Sequence, residues 1–312
     1  MFVRDKEEKY MFIIGHQRER ERLAFISKKE TMSQSYLFFG PQSVGKSLCA
    51  LEFASLLVSE PDFEPSEEKP YPFDVTILRP EEETKRGVTK QKSIGVEEIR
   101  EALSFLSHFP TKGRFRVLII EDAHKLSLSA QNVLLKTLEE PNPSSVIILV
   151  THEVGSIIST ILSRVERVRF RYVDAEEIAS RSAVFFSHNN HDQKIAPFFF
   201  SLGRPGMIKE ISSNPQKFAL KQEKLSRLFR LSSLSISERL TLAEELSKNV
   251  PEMIRLFEWW LPGLHKQATE GRSFSQTKQF FRLLEDTEHT LFLLKTTQSN
   301  ARLLAEKLFL SL

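Results

Sequence analysis

The chain has 312 residues, 40% of them hydrophobic, which places it among globular proteins and allows two or three compact modules with separate cores. Its formal net charge of +3 is small for this length, so any nucleic-acid contact must come from local patches rather than from a global basic field. A single cysteine, Cys49, excludes a disulfide framework and a Cys-based zinc site, and no apolar run reaches the length of a bilayer span, so a soluble, cytoplasmic protein is expected.

Short apolar runs at Tyr36 to Phe39, Val75 to Leu78, Val117 to Ile120, Val146 to Val150 and Val165 to Tyr172 alternate with helical patterns. That alternation predicts an α/β module with a largely parallel sheet. The first run leads into Gly40-Pro41-Gln42-Ser43-Val44-Gly45-Lys46-Ser47, a full match to G-x-x-x-x-G-K-[ST], and a helix from Lys46 to about Val58 follows. In that setting the glycines let the backbone approach an anion and successive N–H groups at the helix start cradle it. Lys46 reaches the outer phosphates and Ser47 holds Mg²⁺. The four fixed positions coincide by chance in roughly one chain in a hundred of this length, and the strand and helix flanks lower that further.

Ser59 to Lys92 is rich in Pro, Glu and Lys and reads as surface connection, interrupted by the strand at Val75. Helical spacing then covers Ile94 to Phe105 and, after the next strand, Ser129 to Leu138, where Pro141 stops it. Between these helices the strand Val117 to Ile120 ends in Glu121-Asp122, the place where a P-loop ATPase keeps one carboxylate for Mg²⁺ and often a second to activate water. The order is Glu then Asp rather than Asp then Glu, so the second carboxylate is one methylene short, and catalysis is sensitive to displacements of about 1 Å. His124 is read as a satisfied side chain, with no second His or Cys nearby to build a metal site with it.

Beyond Tyr172 the strand signals fade into helices broken at Asn189-Asn190, Gly203-Arg204-Pro205-Gly206, Asn214-Pro215, Pro251, Pro262-Gly263 and Gly271-Arg272. The expected organisation is a nucleotide-binding domain at 1–172, a small helical lid at 173–215 and an all-α C-terminal domain at 216–312. Lys217, Lys221, Lys224, Arg227 and Arg230 form a basic stripe at helical spacing that reads as a solvated face, whereas Phe257, Trp259 and Trp260 read as packing.

Several of these segments together resemble the subunits of the bacterial DNA polymerase III clamp loader, a family within the AAA+ class. The residues that carry the resemblance are Ile13-Ile14-Gly15-His16, Ser35 to Pro41, Ser93 to Arg100 and, most specifically, Arg116 to Pro141 with Asn132-Val133-Leu134-Leu135-Lys136-Thr137-Leu138-Glu139-Glu140-Pro141. The resemblance covers the first 172 residues and fades afterwards. It implies a RecA-like AAA+ module, a lid and a helical collar that holds five subunits together. It also implies gamma/tau-type and delta-type partners, a sliding clamp and primer–template DNA reached through the complex, and ATP or ADP with Mg²⁺ as cofactor.

By the same resemblance Ile14 and Gly15 line the adenine side of the site, and Thr151 senses the outermost phosphate. Arg164, in Ile161-Leu162-Ser163-Arg164-Val165, acts in trans as an arginine finger on a neighbouring subunit's ATP; a guanidinium suits that role because it offers a planar fork of donors. Val165 stands where the family's motif has Cys. The reversed Glu121-Asp122 pair, the length, and Arg204 standing before rather than inside the lid helix look like the delta-prime type, which implies nucleotide binding with little or no hydrolysis. The alternatives are an ATP-hydrolysing gamma/tau-type subunit and an unrelated P-loop kinase. Relatives that carry four zinc-binding Cys place them within Ser59 to Lys92; this chain has none there, and no zinc is expected.

Overall fold

In a computed structural model, residues 13–58, 72–85, 88–111, 113–182, 203–207, 215–269 and 274–311 are described. They divide into two compact units, one of residues 1–173 with 204–206 and one of 174–203 with 207–312. The expected lid boundary at 215 borders residues 208–214, which lie outside the described residues, as do the expected break at Asn189-Asn190 and the one at Gly271-Arg272.

The first unit holds helix α1 (Gln17–Ser27), strand β1 (Ser35–Phe39), α2 (Lys46–Val58), β2 (Val75–Leu78), β3 (Glu82–Lys85), β4 (Val88–Gln91), α3 (Val96–Leu106), β5 (Arg116–Ile120), α4 (Leu128–Glu139), β6 (Ser145–Thr151), α5 (Ser159–Leu162) and β7 (Glu166–Arg169). Five strands form one parallel sheet in the order β2-β5-β6-β1-β7. Because successive side chains in a strand point to opposite faces, each run feeds two cores. Tyr36, Phe38, Val117, Ile119, Val146, Ile148 and Val150 pack with Phe53, Ala54 and Leu57 of α2. Leu37, Leu118, Ile120, Ile147 and Leu149 pack with Ile99 of α3 and Leu134 of α4 on the other face. Strands covered on both sides read as unbroken apolar runs, which is why they are plain in the sequence.

Three local expectations are corrected. The connection Ser59 to Lys92 carries an antiparallel hairpin, β3 with β4, besides the strand at Val75. The run Val165 to Tyr172 pairs only over Glu166–Arg169, although Phe170 N still donates to Phe39 O at 2.8 Å. Helix α1 was not anticipated at all, because Gln17-Arg18-Glu19-Arg20-Glu21-Arg22 is wholly polar and only Leu23 and Ile26 are buried, one helical step apart.

The second unit begins with a helix at Ala175–Ser182 and continues through helices at Pro215–Phe229, Ile236–Ser247, Val250–Thr269, Phe274–Thr296 and Ala301–Leu310. The expected break at Pro262-Gly263 does not occur, since the helix Val250–Thr269 runs through both. Pro in a helix interior costs about 3 kcal/mol or more. Burial of Leu256, Phe257, Trp259, Trp260 and Leu264 along the same helix opposes that cost. A Cβ on Gly263 would sit 2.2 Å from the Phe229 ring, so the glycine marks a close approach of the helix Pro215–Phe229.

The basic stripe is not a solvated face either. Lys221 is buried with its ammonium 5.0 Å from the Trp259 ring centroid, Lys224 pairs with Glu252 at 3.2 Å and Arg227 with Glu245 at 2.7 Å. Of the stripe, Lys217 lies outside the described side chains and Arg230 is exposed.

Candidate functional site

Strand β1 delivers Gly40 to the rim of the sheet, and the loop to α2 is built on left-handed backbone. Gly40 has φ 143, Ser43 φ 60 and Gly45 φ 105. Glycine is needed at both ends for different reasons. A Cβ on Gly40 would lie 2.1 Å from the Phe170 carbonyl oxygen, whereas one on Gly45 would meet nothing within 4 Å, so open space fronts the loop there. The loop is followed by the first turn of α2, where Lys46 is buried and Ser47 half-buried.

Lys46 Nζ donates to Gly40 O at 2.9 Å and also to Pro41 O. The two carbonyls take the donors that phosphate oxygens would accept, which is the arrangement expected of a cradle fitted to a polyanion. Burial, then the Arg204 charge, pushes the Lys46 ammonium down to about 8 from 10.5, while the Asp122 carboxylate raises it. Between those two values the unfolded chain holds a proton that the folded chain lacks, so this group makes stability rise with pH across that window and penalises folding below it. Unfolding free energy measured from pH 7 to 10.5 is therefore expected to climb more steeply in the wild type than in Lys46→Met, and parallel curves would refute the buried-ammonium account.

Ile13 and Ile14 are buried, and Gly15 has φ 82 with Val173 side-chain atoms 2.6 Å from where a Cβ would be. His16, also left-handed at φ 59, brings Nε2 to 2.9 Å from Val44 O and packs edge-on against Phe170 at 4.9 Å. The box Ile14-Gly15 is thus tied to the phosphate loop through its neighbour His16.

Arg204 is the residue whose place the sequence did not reveal. It is 4% exposed, with Nη1 donating to Gln42 O at 3.1 Å, Nη2 to the Tyr172 hydroxyl at 3.3 Å, and its guanidinium over the Tyr172 ring. Gly206 N donates to Ser43 O at 2.8 Å, so residues 204–206 are seated on the loop. Nothing local signals a contact between residues 162 positions apart.

The two carboxylates after β5 diverge. Glu121 Oε2 accepts from Arg79 Nε at 2.7 Å, beside the end of β2. Asp122, in the left-handed region at φ 48, is the carboxylate within electrostatic reach of Lys46. Thr151, at the end of β6 and 1% exposed, accepts from Glu153 N at 3.0 Å, donates to Glu153 O at 3.2 Å and lies 3.4 Å from His124 Nδ1. Arg164 is separate from all of these. It pairs with Glu139 at 2.8 Å and donates to Thr160 O and Ser163 Oγ, none of them residues of the phosphate loop.

The expectation that His124 has no second imidazole near it is corrected. His152, 28 residues on, brings its ring centroid to 4.1 Å from that of His124. Burial, opposed by Asp122 and Glu153, lowers the His124 pKa. Cys49 is buried, and its thiol is pushed up to about 12 by burial, then by Glu52, which leaves it inert at neutral pH. Among the described residues no helix is long and apolar enough to cross a membrane.

A family model described as DNA polymerase III, delta subunit, matches residues 15–174. The chain is 30% identical to the DNA polymerase III subunit tau of Bacillus subtilis over 178 residues, 56% of this chain and 31% of that protein. It is 28% identical to the DNA polymerase III subunit delta' of Pseudomonas aeruginosa over 143 residues, 42% of this chain and 41% of that one. The chain thus spans less than half the length of these curated relatives. Among solved structures, a gamma subunit-related protein from Thermotoga maritima superposes with a TM-score of 0.53 at 19% identity, covering 93% of this chain and 97% of that one, which speaks for the fold alone.

Proposed function

The chain belongs to the DNA polymerase III delta subunit family, and from that premise we propose that it is a clamp-loader subunit of the delta-prime type. In this reading it binds adenine nucleotide, hydrolyses it little or not at all, and lends Arg164 to a neighbouring subunit's ATP. Its partners are gamma/tau-type and delta-type subunits in a hetero-pentamer, which opens the sliding clamp and sets it on primer–template DNA. The observation that supports the reading is a complete phosphate loop beside two divergent carboxylates: Glu121 is drawn to Arg79, and Asp122 is the carboxylate whose charge reaches Lys46.

The loop fits a nucleoside triphosphate with Mg²⁺, which would supply the charge-bridging between outer phosphates and protein oxygens. Lys46 would exchange its Gly40 and Pro41 carbonyls for phosphate oxygens, and the N–H groups of Val44 to Ser47 would face them as an anion nest. Ser47 and Glu121 would hold the ion, which requires Glu121 to leave Arg79. Ile14 and Gly15 would border the base, and Thr151, already bonded twice to Glu153, would hold its hydroxyl fixed near the outermost phosphate.

The second reading, an ATP-hydrolysing gamma/tau-type subunit, is favoured by one observation: Arg204 is packed on the loop beside Lys46, so two cations converge where phosphate charge would develop. Binding and turnover by the purified chain separate the two. Nucleotide binding is expected in the wild type and is expected to be lost in Lys46→Ala, with turnover far below the usual enzyme range of about 1 to 10³ per second. Turnover within that range by the isolated chain would establish the gamma/tau-type reading instead.

A further inference from the structure

His124 and His152 play no part in the nucleotide reading, yet the fold brings them together from the ends of two adjacent strands. β5 and β6 pair in parallel, so both strands finish at the same edge of the sheet, and each is followed within a few residues by an imidazole. Asp122, in the left-handed region, starts the 3₁₀ turn Ala123–Lys125 and returns the chain so that positions 122 and 124 face the same place. One ligand atom from each of Asp122, His124 and His152 lies within 4.8 Å of those of the other two. All three residues are half-buried.

We propose that Asp122, His124 and His152 form a binding site for a divalent transition-metal ion of the zinc class, with Thr151 and Glu153 orienting the two imidazoles. The donor set is two neutral nitrogens and one carboxylate oxygen, which suits Zn²⁺ and its first-row neighbours and not Mg²⁺, an ion that demands an octahedron of oxygens. Four-coordinate zinc with bonds of about 2.0 to 2.1 Å needs donors roughly 3.4 Å apart, so from spacings of up to 4.8 Å the cluster has to contract by up to about 1.4 Å through side-chain torsions. Three protein ligands leave a fourth position for water.

The surroundings supply what metal-binding imidazoles require, a partner for the nitrogen that does not face the ion. With the Thr151 hydroxyl proton given to Glu153 O, an imidazole that donates from Nδ1 satisfies the 3.4 Å contact with His124. That tautomer would leave the Nε2 lone pair for the ion. His152 stands between two carboxylates, with Nδ1 3.8 Å from Asp122 Oδ1 and Nε2 3.9 Å from Glu153 Oε1. The first is the neighbouring ligand; the second carboxylate lies beyond hydrogen-bond distance and would accept from Nε2 once the side chains close on an ion. Because Asp122 also influences Lys46, an ion held here couples electrostatically to the phosphate loop without needing nucleotide to bind.

The test uses the full chain, stripped with chelator and titrated with Zn²⁺ by calorimetry in the absence of nucleotide. About one ion per chain is expected, unaffected by millimolar Mg²⁺, and Co²⁺ in its place should give the visible absorption of a low-coordinate site. His124→Ala and His152→Ala should each abolish the saturable binding, Glu153→Gln should weaken it by about 10- to 100-fold, and His108→Ala, an exposed control, should leave it unchanged. A readout that needs no variant is acylation of histidines in the wild-type chain, followed by peptide mass spectrometry. Zn²⁺ should protect His124 and His152 and leave His108 and His265 reactive. Absence of saturable binding in the wild type, binding that survives loss of both imidazoles, or equal protection of all four histidines would each overturn the assignment.

Discussion

Replacing Arg164 by alanine is expected to leave the chain folded and able to assemble, while DNA-stimulated ATP hydrolysis by the complete clamp loader falls sharply. Folding is insensitive because the guanidinium is half-exposed and its ion pair with Glu139 is a surface one, worth about 0 to 1 kcal/mol. The rate is sensitive because a guanidinium aimed at the transferring phosphoryl group is worth roughly 10³ to 10⁵ where it acts. The effect on the whole loader is smaller, since only the neighbouring site depends on this chain. In the free chain Arg164 is already held by Glu139, Thr160 and Ser163, which orders the side chain at the surface and leaves it clear of the chain's own phosphate loop.

Arg164→Lys should rescue poorly, because an ammonium lacks the planar fork, and Glu139→Gln should cost less than Arg164→Ala because it removes only a tether. Reconstitution with wild-type or variant protein, a check of equal assembly by size, and ATPase and clamp-loading rates on primed DNA decide the matter. Unchanged rates at equal assembly would remove the trans-acting role from Arg164.

What was legible in the sequence follows from how each feature is encoded. Strands β1, β5 and β6 were visible because burial on both faces turns Tyr36 to Phe39, Val117 to Ile120 and Val146 to Val150 into continuous apolar runs, and the phosphate loop because its glycines are fixed by backbone geometry at set spacing. Helix α1 was hidden because two buried positions among charged ones leave almost no periodic signal. Pro262 misled because local propensity argues for a break, and the buried aromatic face of that helix overrides it. Lys221 misled in the same way: spacing locates a stripe, and only the neighbouring helix, with Trp259 and Glu252, decides whether the stripe is wet. The contacts of Arg204 with Gln42, and of His124 with His152, join residues far apart in sequence, and no local pattern records them.

Gly40→Ala and Gly45→Ala are expected to separate two functions of the one loop. Both residues sit at positive φ, so either substitution carries backbone strain of about 1 to 3 kcal/mol. At Gly45 that is the whole cost to folding, because an added methyl meets nothing within 4 Å; the methyl instead enters the space fronting the loop, and nucleotide binding should be lost in a folded chain. At Gly40 the methyl would lie 2.1 Å from Phe170 O and 2.9 Å from its carbonyl carbon. That carbonyl cannot withdraw cheaply. Phe170 N is bonded to Phe39 O, extending the pairing of β1 with β7, and the Phe170 ring is wedged between Phe38 at 5.2 Å and His16 at 4.9 Å.

Relief therefore requires β1 and β7 to part at their ends, and the loss should reach about 4 kcal/mol or more, the range reserved for severe core disruption. Hydrogen exchange resolved to peptides covering 35–39 and 166–170 measures it directly. Strong deprotection of both peptides is expected in Gly40→Ala and near-wild-type protection in Gly45→Ala, with nucleotide binding absent from each. Equal protection in the two variants would show that the phosphate loop is not braced against Phe170.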